Sequence, residues 1–87
     1  MYIIAVYDVA SERCPKMLKL CRRYLNWIQN SVFEGELTEV QLKKMISEAK
    51  DIMDEQQDSF ILFQNRQKHW LNKQVIGKER ADISQFL

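Results

Sequence analysis

Asp8 closes Met1-Tyr2-Ile3-Ile4-Ala5-Val6-Tyr7-Asp8, the most uniformly apolar run in the chain, and it is the first side chain able to do chemistry. A carboxylate at the end of a buried strand is either a turn-former that bonds its own backbone or a ligand presented by a rigid element. As a ligand it suits a hard cation. Magnesium takes about six oxygens, keeps several waters, and is commonly held by one or two carboxylates plus a substrate phosphate. A lone Asp8 falls short of that set, whereas two of them, one from each of two copies, suffice. A metal held in this way activates a water and polarises a phosphodiester, with Arg13 or its neighbours positioning the backbone. No general base stands out. His69, the only histidine, has no carboxylate or cysteine close to it in the sequence and reads as a loop residue.

The remaining candidates divide between chemistry and plain solvation. Glu34 and Glu36 are two apart and share a strand face, where they are metal ligands or, more simply, a solvated surface. Cys14 and Cys21 lie seven apart on one expected helix, a separation of about 10 Å that no disulfide spans, so both read as core-facing thiols. Arg13, Lys16, Lys19, Arg22 and Arg23 form a basic stretch with no acid among them, either a solvated helix face or a surface for phosphate. The formal net charge of +1 conceals this polarity. Residues 1–33 hold five bases and two acids, residues 34–58 three bases and eight acids, and residues 59–87 five bases and two acids.

Elements that could position these groups follow from the periodicity. The first run has little alternation and reads as a central strand covered on both faces. A helix is expected from about Arg13 to Leu25, with Pro15 in its first turn, where the missing amide costs nothing. Met17, Leu18, Cys21, Tyr24, Leu25 and Ile28 form its apolar arc, and Leu20 and Trp27 border the basic half. Extended chain follows to Leu37, with Asn30-Ser31 either a bend between two strands or a bulge within one, and with Gly35 marking a bulge or a close backbone approach. Thr38 and Gln41 have the spacing of a capping box that opens a second helix running to about Met53. Its core arc is Leu42, Met45, Ile46, Ala49, Ile52 and Met53, and its methionines are core filler. Asp54 to Asp58 is a loop. Ser59 to Phe63 is expected beside the first strand and buried on both sides, and Trp70 to Ile76 as an edge strand.

Two amphipathic helices on one face of an antiparallel sheet predict an α+β domain over residues 1–77, with a tail at residues 78–87 that docks on the domain itself or on a partner subunit. The helices cover one sheet face, yet Met1 to Val6 and Phe60 to Phe63 are apolar on both. A second copy of the same sheet is the economical cover, and it gives a two-fold homodimer, an arrangement that can set Asp8 of one chain opposite Asp8 of the other. Nothing in the sequence approaches a membrane span or a secretory leader, which makes the cytoplasm the expected location.

Tyr7-Asp8, then Arg13 at the start of a basic helix, then Gln29-Asn30-Ser31-Val32-Phe33-Glu34-Gly35-Glu36-Leu37-Thr38, Asp58-Ser59 and Ile76-Gly77 together resemble the small CRISPR-associated adaptation protein, the second core spacer-acquisition protein, often named an endoribonuclease. The resemblance covers nearly the whole chain, and Ser31-Val32-Phe33-Glu34-Gly35 is its most specific part. It implies a ferredoxin-like homodimer, a C-terminal strand that joins the partner's sheet, magnesium-dependent endonuclease activity in some members, and assembly with the CRISPR integrase as a scaffold for captured DNA. Among matching positions it implies Asp8 as the metal ligand, with Tyr7, Arg13 and Phe33 as associated residues of the catalytic site. Trp27, Cys14 and Pro15 depart from the basic residues many relatives have there. Three readings follow: a metal-dependent nuclease acting on RNA or DNA, a non-catalytic DNA-binding scaffold for the integrase, or a toxin-type ribonuclease of the same fold. The residues expected to contact nucleic acid are Arg13, Lys16, Lys19, Arg22 and Arg23.

Overall fold

A computed structural model describes residues 1–66 and 74–80. The chain runs through β1 (Tyr2–Asp8), a short 3-10 turn (Ser11–Arg13), α1 (Cys14–Tyr24), β2 (Asn26–Gln29), β3 (Val32–Glu36), α2 (Glu39–Ile52) and β4 (Ser59–Asn65). The strands form one antiparallel sheet in the order β2-β3-β1-β4. This is the ferredoxin-like arrangement, with the first strand interior as its apolar sequence requires.

Local chemistry accounts for each boundary. Pro15 stands in the first turn of α1, and Arg22 and Arg23 in its last turn complement the partial negative charge of the helix end. Leu25 then turns extended (φ −132°, ψ 173°) while its amide still bonds to Cys21 O at 2.7 Å. Thr38 and Gln41 form the expected reciprocal cap at α2, with Gln41 N donating to Thr38 Oγ1 at 3.1 Å and Thr38 N to Gln41 Oε1 at 2.9 Å. Asn30 and Ser31 are the bend of a two-residue hairpin, since Gln29 pairs with Val32. Asn30 takes a left-handed φ of 48°, which asparagine tolerates better than most residues. The bulge lies in β2, between Trp27 and Gln29. Gly35 marks a close approach instead: a Cβ there would meet Leu25 Cδ2 at 3.1 Å.

Alternation along β1 divides the molecule. Ile3, Ala5 and Tyr7 are buried against Phe33, against Met17, Leu20 and Cys21 of α1, and against Leu42, Met45 and Ala49 of α2. Two expectations about this core need correction. Leu20 is not at a polar border but buried, because α1 lies in the angle between the sheet and α2 and buries a wider arc than a sheet alone would cover. Ile28 does not belong to the helical arc, since α1 ends at Tyr24 and Ile28 is half-buried in β2.

β4 lies beside β1 as expected, but within one chain it is not covered on both sides: Ile61 is 49% and Phe63 53% exposed. The reason is topological, because both helices pack on the same face of the sheet. The expected strand over Trp70–Ile76 and His69 lie wholly or partly outside the described residues; within them, Gln74 to Ile76 form no strand, and Val75 and Ile76 are exposed. Of the tail, Lys78 to Arg80 are described and exposed.

Candidate functional site at the end of the first strand

Residues paired across antiparallel strands share a sheet face. Val6 pairs with Val32 and Ile61, Ile4 with Glu34 and Phe63, and Asp8 with Ser59. Ile4, Val6, Val32, Ile61 and Phe63 therefore form an apolar patch on the face turned away from the helices. Asp8, exposed, stands at one end of it. At the other end Tyr2 Oη donates to Glu34 Oε2 at 2.6 Å, and burial followed by the Glu34 carboxylate pushes the Tyr2 phenol up to about 12. Glu34 is thus a half-buried acceptor, while Glu36 is exposed.

Tyr7 and Phe33 are brought together on the opposite face, beneath the strand end. Their rings lie 6.1 Å apart at 24°, both are buried, and Tyr7 N donates to Ser31 O at 3.2 Å. Burial, then the neighbouring Cys14 and Cys21, raise the Tyr7 phenol above its ordinary value, so near neutral pH it is a protonated core residue and not a phenolate base. Cys21 is buried at the helix interface, which pushes its thiol up to about 12 and leaves it unreactive.

Arg13 is held by Asp58. Its Nε donates to Asp58 Oδ2 at 2.6 Å and its Nη2 to Oδ1 at 3.0 Å, while Nη1 reaches Glu12 Oε1 at 3.3 Å. Asp58 also accepts from Ala10 N and Asp54 N, both at 2.9 Å. Its side chain is 1% exposed. The guanidinium and then the two backbone amides overcome burial and hold the Asp58 carboxyl well below the usual carboxylate range, and the Asp58 bonds raise Arg13 in turn. Asp58 enters the sequence reading only within the Asp58-Ser59 motif and the loop before β4, with no role at the site. Its one local signal is an acid immediately before a strand; two of its three partners, Arg13 and Ala10, are 45 and 48 residues away.

The basic surface is narrower than its composition suggests. Lys16, Lys19, Arg22 and Arg23 are all exposed on α1. Arg23 pairs with Glu48 of α2 at 3.3 Å and lies 5.6 Å over the Tyr24 ring, whose hydroxyl donates to Glu48 at 2.6 Å. The acid missing from the α1 sequence is supplied by the neighbouring helix, which engages Arg23.

Among the described residues no three His, Cys, Asp or Glu side chains gather into a metal-ligating group. Asp8 has the hard, exposed oxygens magnesium requires, but one carboxylate per chain completes a set only with a second copy and substrate. Two grooves flank α2 and β4, of about 430 and 280 Å³, the larger lined by Met1, Leu42, Ile46 and Gln64 and the smaller by Met53, Phe60 and Leu62. Neither contains Asp8, which stands on open surface where a long polymer can reach it. No helix among the described residues is long and apolar enough to cross a membrane.

Residues 1–73 match the family model described as CRISPR associated protein Cas2. The chain is 40% identical over 87 residues, the full length of both proteins, to the CRISPR-associated endoribonuclease Cas2 of Methanosarcina acetivorans, and 40% identical over 87 residues, again full length in both, to the protein of that name from Pyrococcus furiosus. A solved structure titled as the crystal structure of Cas2 superimposes with a TM-score of 0.85 at 41% identity, over 93% of this chain and 91% of that one. The Streptococcus pyogenes Cas2 structure matches with a TM-score of 0.77 at 28% identity, over 88% of this chain and 100% of that one.

Proposed function

The chain belongs to the CRISPR-associated protein Cas2 family, and from that premise we propose that it is a dimeric, magnesium-dependent endonuclease acting in the cytoplasm within CRISPR adaptation. One observation carries the reading: an exposed carboxylate, Asp8, stands at the rim of an apolar sheet face that a single chain leaves uncovered. Two copies joined through Ile4, Val6, Ile61 and Phe63 hide that face and bring the two Asp8 side chains to a common axis. The two Asp8 carboxylates would hold a magnesium ion, which would supply Lewis-acid polarisation of the scissile phosphate and a more acidic bound water.

The rest is done by the protein. Asp8 holds the ion from a strand end fixed on one side by pairing to Ser59. Tyr7 and Phe33 act from below, as the packed floor that keeps the strand end rigid. Lys16 and Lys19 neutralise backbone phosphates and set the register of the nucleic acid. Arg13 holds the loop after Asp8 through Asp58. The deciding experiment is cleavage of RNA and DNA by the purified protein and by Asp8→Ala, each with and without magnesium. The reading expects cleavage only by the native protein with magnesium, and equal cleavage by Asp8→Ala overturns it.

A second reading has its own support in the single carboxylate per chain and the exposed Lys16 and Lys19: a non-catalytic dimer that clamps duplex DNA for the CRISPR integrase. It expects duplex binding that Asp8→Ala leaves intact and that Lys16→Glu with Lys19→Glu weakens.

A further inference from the structure

We propose that Asp58, clamped by Arg13, is the positioning residue of the strand-end site: it ties the loop that leaves Asp8 to the loop that enters β4, and so sets the direction of the Asp8 carboxylate. This rests on the reading of Asp8 as a metal ligand.

The geometry is specific. Asp58 Oδ1 accepts from Ala10 N at 2.9 Å and Arg13 Nη2 at 3.0 Å, and Oδ2 accepts from Arg13 Nε at 2.6 Å and Asp54 N at 2.9 Å. Four donors converge on one carboxylate, which fills its accepting capacity and leaves it no freedom to turn. The anchored amide of Ala10 is two residues beyond Asp8. Val9, between them, is engaged as well, its carbonyl accepting from Cys14 Sγ at 3.6 Å. Across the sheet, Asp8 pairs with Ser59, the residue next to Asp58. The backbone on both sides of the metal ligand is thus fixed by Asp58 or by its neighbour.

Such control matters more here than at an ordinary metal site. Ligand positions must be held within about 0.5 Å of the productive geometry, and in a two-fold pair any displacement of Asp8 occurs twice. No isosteric neutral side chain can replace Asp58. An asparagine in its place would present one accepting oxygen and one donating amide to four donors, so at least one donor would be left facing another.

The test measures metal binding directly, by paramagnetic resonance of Mn2+ titrated into the full-length chain, for the native protein, Asp8→Ala, Asp58→Asn and Arg13→Lys, at a temperature where circular dichroism shows each folded. Asp8→Ala is expected to abolish binding. Asp58→Asn is expected to weaken it about tenfold, the usual effect of losing a group that orients a ligand. Arg13→Lys keeps the charge and both backbone amides but loses the forked contact, and is expected to weaken binding about threefold.

In cleavage assays Asp58→Asn should raise the magnesium concentration for half-maximal rate, while saturating magnesium restores most of the native rate. A purely structural role would lower the melting temperature and leave that concentration where it was. Native Mn2+ affinity in folded Asp58→Asn overturns the proposal; should that variant not fold, native affinity in Arg13→Lys does so. Failure of the native protein itself to bind Mn2+ removes the metal reading and the positioning role with it, an outcome read in the native arm alone.

Discussion

The two faces of the sheet are made by the same four strands, yet they differ in what they bury and in what they present. On the helix side, Ile3, Ala5 and Phe33 reach full burial, and this face holds the chain together. On the open side, Ile61 and Phe63 are half exposed and Asp8 is exposed, so this face contributes little to a single chain and is available to a partner and a substrate. Tyr7 and Asp8 show the contrast in adjacent residues, one locked in the core and the other at the surface. Period-two geometry makes the division unavoidable: whatever stabilises one face cannot also do chemistry on the other.

The comparison can be broken from either side. Truncating the helix side should cost most: Phe33→Ala is expected to lose about 3–5 kcal/mol of unfolding free energy in urea titration, as filled cores do when an aromatic is removed. An effect below about 1 kcal/mol would mean the core does not lie where its burial indicates. On the open side Asp8→Ala should reverse that pattern, reducing magnesium-dependent cleavage by on the order of 10²–10³-fold while the urea midpoint is unchanged. Ile61→Ser with Phe63→Ser should weaken self-association at least about tenfold in sedimentation equilibrium, and a dimer of native strength would show that the open face is not its interface. On α1, Lys16→Glu with Lys19→Glu should make the slope of log affinity against log salt shallower by about 2 per chain for nucleic acid.

The smallest effect sharpens the boundary between the faces. Because Arg13 and two amides lower the Asp58 carboxyl below its unfolded value of about 3.9, Asp58 contributes stability that is fully present above that value. That stability is lost as the pH falls toward the lowered folded value. Acid titration at fixed urea should therefore show the native protein losing stability below about pH 4. Asp58→Asn should have less to lose over that range.

Much of this was legible in the sequence because it is local. The Thr38-to-Gln41 cap, Pro15 in the first turn of α1, the apolar arc of α2 and the strand over Ser59–Phe63 all depend on residues a few positions apart. The burial of Leu20 was not legible, since it depends on where α2 lies. Nor could the Asn30-Ser31 bend be told from a bulge, because β-branched residues on both sides suit either, and only the pairing of Gln29 with Val32 separates them.

The site divides along the same line. The sequence by itself determined that an acid closes the first strand, that five bases follow it, and that one sheet face lacks a cover, since alternation and composition are one-dimensional properties. Only the tertiary structure decided that Tyr7 and Phe33 belong to the core, and that Arg13 answers to Asp58 and Arg23 to Glu48. An ion pair between residues 45 apart leaves no periodic trace in the chain, because its partners meet only once the sheet and helices have set the distance between them.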